Sequence, residues 1–131
     1  MWTFKNLVAV GLLLFGSTFL WMTPAFAGRT PPPTGMAWTL ANILALTAVA
    51  GFTITAWAVF KQYSWWGPVT LVSALVGLVA MIPFIIGLLQ IGVGFADLGA
   101  QINIWMHLVG SAAAVGLVLL PDLHTWVVHR L

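Results

Sequence analysis

Four apolar runs, each long enough to cross a hydrocarbon layer and separated by connections of a few residues, leave this chain little choice but a helical membrane bundle. A span needs about 20 predominantly apolar residues, and the stretches at about 6–27, 36–60, 68–91 and 98–120 each reach that length. Inside lipid the backbone must satisfy its own hydrogen bonds, so each run is read as a helix. Short connections make consecutive helices antiparallel. The expected fold is an all-α integral membrane protein: one domain over 1–131, four transmembrane helices in an up-down bundle, and a short amphipathic tail at 121–131.

Composition narrows the function classes. With 62% hydrophobic and 5% charged residues and a net charge of +2, the chain cannot present the continuous basic surface that nucleic-acid binding requires, so no nucleic acid is expected as a partner. It contains no cysteine, which removes thiol catalysis, thiolate metal sites and iron–sulfur ligation.

The first run follows Lys5 and ends in Pro24-Ala25-Phe26-Ala27-Gly28, an ending shared with cleavable secretory signals. Its apolar stretch of about 20 residues exceeds the usual signal core, so an uncleaved first span is expected; cleavage would leave three spans beginning at Gly28. Pro31, Pro32 and Pro33 make the next connection a stiff one. In the tail, Leu123, Trp126, Val127 and Arg130 share a helix face, which predicts a segment lying along the membrane surface.

Orientation follows from the basic residues. Lys5, Lys61 and Arg130 fall on one side and Arg29 on the other, which predicts cytoplasmic amino and carboxyl termini in a bacterial-type inner or plasma membrane. Trp2, Trp57, Trp65, Trp66 and Trp126 are then placed at the inner interface, and Trp21, Trp38 and Trp105 at or near the outer one.

Within the spans, polar and small residues mark the packing faces, because lipid can satisfy neither an imidazole nor an amide. In the fourth run these are Asn103, His107, Gly110, Ser111 and Ala114. In the third, Ser73, Gly77, Ala80 and Gly87, continued by Gly94, draw a seam for close helix approach. In the second, Asn42, Ala45, Thr53 and Ala56 make a similar face, and Asn42 is expected to meet Asn103. Substituting Leu for Gly77 or Gly87 is expected to separate the chain from a partner. Pro83 lacks the N–H that would bond the Val79 carbonyl and is expected to bend the third helix.

His107 is the one ionisable side chain inside a span, roughly 15 Å below the helix end at Asp97. A neutral imidazole there serves either as a hydrogen-bonded packing group or as an axial haem ligand, metal ligand or proton carrier. A second intramembrane histidine for bis-histidine haem is lacking, since His124 and His129 lie in the tail. The run Gln90-Ile91-x-x-Gly94, followed by a histidine in the next helix, is similar to patterns in some haem-carrying membrane bundles. Asp97 and Asp122 stand at helix ends, not in the membrane as proton-coupled transport requires. The reading adopted is a small accessory subunit of a larger membrane complex, packing through the third and fourth helices, itself non-catalytic and without a cofactor in the isolated chain. Its expected partners are other integral membrane subunits and bound lipid. The rivals are a haem- or metal-binding redox bundle using His107, and a small oligomeric channel or carrier lined by the bent third helix.

Overall fold

A computed structural model describes all 131 residues, Met1 to Leu131. The fold is an all-α bundle: α1 (Phe4–Thr18), α2 (Met36–Phe60), α3 (Trp66–Gln90), α4 (Leu98–Leu119) and a short α5 (Pro121–Val128), with 3₁₀ turns at Phe19–Met22 and Pro24–Phe26. Four of these helices, counting α1 with its first 3₁₀ turn, are long and apolar enough to cross a membrane. The second, third and fourth match the expected runs closely. The first does not: it starts at Phe4 and loses α-helical geometry after Thr18, well short of residue 27.

The cause is local. Ser17, Thr18 and Thr23 turn their hydroxyls onto the carbonyls three residues earlier, at 2.7, 2.6 and 2.6 Å. Hydroxyls offering the backbone such short-range partners favour tight turns over continued α-helix. Pro24, with no N–H, begins the next turn. By contrast, Thr47 and Thr53 bond the carbonyls four residues back, at 2.7 and 2.8 Å, and α2 runs on undisturbed.

The helix ends carry their own stop signals. After α3, Gly92 takes φ +80°, its N–H bonds the Leu89 carbonyl, and the Val93 N–H bonds that of Leu88. That is the Schellman arrangement, and its left-handed residue favours glycine. After α2 the same pair of bonds recurs, from Gln62 to Val59 and from Tyr63 to Ala58, but Gln62 holds the left-handed position at φ +58°. Its side-chain amide donates to the Leu131 carbonyl at 2.6 Å, which ties this connection to the tail.

α2 and α3 form the centre, with α1 packed on α2 and α4 on α3. The buried positions of α2 and α3 recur at alternating spacings of three and four, and most are small. On α2 the buried positions are Ala41, Ala45, Ala48, Phe52, Thr55 and Val59; on α3 they are Thr70, Ser73, Gly77, Ala80, Phe84 and Gly87. This is the spacing of left-handed helix pairs, and small side chains let the backbones come close where lipid offers no hydrophobic force between helices. Gly51 meets Ser73 directly: a Cβ at Gly51 would lie 2.9 Å from the Ser73 Cβ.

The face of α2 is therefore rotated from the expected one. Ala45 and Ala56 are buried, but Thr53 is exposed and Asn42 only half-buried. Pro83 is buried inside a helix that stays continuous across it. α5 packs on the end of the bundle. Its Val127 is buried with Ala9, Ala58, Val59 and Trp66, while His124 stacks on Trp66 at 5.3 Å and Trp126 meets Phe4 edge-on at 5.6 Å.

Candidate functional site

His107 sits where α1, α2, α3 and α4 converge, with no exposed surface. Its Nδ1 lies 2.7 Å from the Asn103 carbonyl and its Nε2 lies 3.1 Å from the Thr18 hydroxyl. A carbonyl can only accept, so in the neutral ring Nδ1 carries the proton and Nε2 presents its lone pair to Thr18. The Thr18 hydroxyl lies within reach of both Nε2 and the Phe15 carbonyl, and its one proton serves one of these two acceptors at a time.

Two phenylalanines wall the histidine, and Phe52 packs against both of them. Phe19 lies 4.4 Å from the imidazole, centroid to centroid, and Phe15 lies 6.2 Å away. Phe15, Phe19 and Phe52 also pack on one another at 5.1 to 5.8 Å. Each ring fills the space left by a glycine on a different helix: Phe52 against Gly16 of α1, Phe19 against Gly77 of α3, and Phe15 against Gly110 of α4. A Cβ at Gly77 would lie 2.6 Å from the Phe19 ring and 3.1 Å from the Ser111 hydroxyl. At the opposite end of the seam from Ser73, Gly87 receives Trp38, whose ring would be 2.8 Å from an added Cβ. Trp38 is 1% exposed, so it is a core residue and not the interfacial one expected.

Asn103 does not meet Asn42. Its Nδ2 donates to the Trp21 carbonyl at 3.0 Å, and no hydrogen bond reaches the Asn42 side chain. The shortened α1 explains this: a helix ending within the membrane leaves carbonyls without intrahelical partners. Asn103 takes the Trp21 carbonyl, and the Thr18 hydroxyl divides its one proton between the Phe15 carbonyl and His107 Nε2. The polar stripe of α4 thus serves the irregular end of α1. Asn103, whose Oδ1 has no partner, also lines an open cavity of about 390 Å³ with Trp21, Phe84 and Asp97.

Of the residues singled out in the sequence, Ser73, Gly77, Ala80, Gly87, His107, Ser111 and Ala114 are buried, and Asn42, Asn103 and Gly110 are half-buried. The seam of α3 is filled by this chain's own Phe19, Trp38 and Ser111. It is not a vacant face for another subunit. Thr18, Phe15, Phe19 and Phe52 were not predicted from the sequence; the hydroxyl three residues after Phe15 was the available signal for Thr18.

The geometry does not fit haem. An axial bond needs a free imidazole nitrogen facing an open slot, but Nε2, the one ring nitrogen without a proton, lies 3.1 Å from the Thr18 hydroxyl, with the Phe19 ring 4.4 Å from the imidazole. No group of three His, Cys, Asp or Glu side chains converges anywhere to hold a metal. Comparison of the chain with protein families, with curated proteins and with solved structures finds no match.

Removing the imidazole should strand no polar group, because the Thr18 hydroxyl keeps the Phe15 carbonyl and the Asn103 carbonyl keeps its helical bond. His107→Leu should therefore lower stability by only roughly 0.6 to 2 kcal/mol. Asn103→Leu orphans the Trp21 carbonyl and should cost more, about 1 to 3 kcal/mol. Melting of both variants in mild detergent checks this ranking, and absorbance checks the ligand question. A Soret band in the wild type that disappears in His107→Gln would overturn the packing role.

Proposed function

We propose that this chain is a small non-catalytic subunit of a larger membrane protein complex, meeting its partner through the outward side of α4. The observation that carries this reading is the uneven cover of the helices: α4 is the least buried of the four spans, although His107, Ser111 and Ala114 of its inward stripe are buried. Its other side leaves Ile102, Trp105, Val109, Ala112 and Ala113 exposed. Two adjacent alanines there allow a second backbone to approach closely. α3 adds its own outward residues Val79, Ile82 and Ile86.

The chemistry of the interior supports the same view. The intramembrane imidazole is engaged by internal hydrogen bonds, and no nucleophile, base and orienting group are brought together. The α2–α3 and α3–α4 connections, residues 61–65 and 91–97, are short. Under this reading the basic end, with Lys5, Lys61 and Arg130, faces the cytoplasm of a bacterial-type inner or plasma membrane.

Purification in mild detergent followed by mass spectrometry tests it. The wild type should bring down a defined integral membrane partner, and Ala113→Trp should reduce its recovery about tenfold, the effect of roughly 1.4 kcal/mol. Ile43→Trp, on the exposed side of α2, should not. A wild type that elutes as a lone chain, or equal effects of the two substitutions, would refute the assignment.

A further inference from the structure

We propose that the groove between α1 and α2, at the end of the bundle carrying Lys5 and Lys61, binds an anionic phospholipid from the surrounding bilayer. The acyl chain lies along the groove and the phosphate sits between the two ammonium groups. Two adjoining cavities make the groove, of about 340 Å³ and about 270 Å³. They share Ala9, Val10 and Phe60, and the second continues inward to Leu13 and Ala56. Small Ala9 and Ala56 form the floor, so the trough is apolar along the direction an acyl chain takes in the bilayer.

The polar end of the groove is set by its cations. The Lys5 Nζ stands 5.6 Å from the centre of the Phe60 ring, and the Lys61 Nζ stands 5.9 Å from that ring and 4.9 Å from that of Trp57. Two ammonium groups are thus gathered at one aromatic residue that also lines both cavities. Neither donates a hydrogen bond within the chain. The only acidic side chain at this end is Asp122, in the first turn of α5, since Asp97 is the N-cap of α4 at the opposite end. Two ammonium groups without an acidic partner at the mouth of an apolar trough suit an anion, and a lysine stem along apolar surface with its head at the interface suits a phosphodiester there. This site is on α1 and α2, separate from the side of α4 assigned to a partner.

Native mass spectrometry of the full chain in detergent, doped with phosphatidylglycerol or with phosphatidylcholine of the same acyl chains, tests the site. The wild type should retain one phosphatidylglycerol, and phosphatidylcholine far more weakly. Lys5→Gln/Lys61→Gln should weaken phosphatidylglycerol retention about 30-fold, from the loss of two interfacial lysines. Val10→Trp, which fills the shared part of the groove and keeps both lysines, should also lose the lipid. Excess inorganic phosphate should not compete. Equal retention of the two lipids, undiminished binding by either variant, or displacement by inorganic phosphate would overturn the proposal; unchanged melting of both variants shows that the fold is intact.

Discussion

Gly77→Leu is expected to yield little folded protein. The position sits over the Phe19 ring, where a single added carbon would lie 2.6 Å from Cζ, and leucine adds four. The ring cannot swing aside, because Phe15, Phe52 and the imidazole enclose it. Overpacking a filled core costs typically 1–3 kcal/mol and occasionally more, and at this crossing of helices the loss should be about 3 kcal/mol or above. Val79→Leu, on the exposed side of the same helix, should stay within about 0.5 kcal/mol. Thermal melting and size-exclusion profiles of the two variants in the same detergent measure the difference. If Gly77→Leu melts like the wild type and loses only a bound partner, then the seam belongs to an intermolecular contact after all.

Phe19→Ala should be nearly as damaging, for the opposite reason. Phe19 is fully buried, and its removal empties the centre of the Phe15–Phe52–His107 cluster. In soluble cores such truncations cost about 3–5 kcal/mol. Part of that figure is transfer from water, which a lipid-embedded reference state lacks, so a loss of about 3 kcal/mol is expected here. Trp21→Ala removes a larger side chain that is about half exposed and should have a much smaller effect. Comparable losses at the two positions, read from detergent unfolding curves, would mean that the phenylalanine cluster has no special role.

The number and order of the spans, and the lengths of the last three, were legible because a hydrocarbon layer imposes one length on any segment that crosses it. The small-residue seam of α3 was legible too, but only as a face. Spacing shows which residues share a side of a helix and says nothing about what lies opposite, which is why Gly77 was expected to meet a partner and instead meets Phe19. The phenylalanine cluster carried no signal, since Phe15, Phe19 and Phe52 sit in runs whose lipid-facing residues are equally apolar. Trp38 was misplaced for a related reason: position near a span end suggests an interface, whereas the gap above Gly87 draws the ring inward. The end of α1 was missed because counting apolar residues ignores hydroxyls, and Ser17, Thr18 and Thr23 redirect the backbone without lowering the hydrophobicity much.

The pairing of Thr18 with His107 joins residues 89 positions apart, and the Phe15 ring on Gly110 joins the same two helices. During synthesis the first helix therefore enters the membrane long before its partner on α4 exists. Until the fourth helix is released, the 3₁₀ end of α1 must hold the Trp21 carbonyl without Asn103, near lipid or inside the insertion machinery. The α1–α2 and α2–α3 contacts can both form in the meantime, since each joins helices that follow one another along the chain. Closure of the first helix onto the last is then the step that marks a finished molecule, and a quality-control protease would find its substrate in any chain that stalls before it.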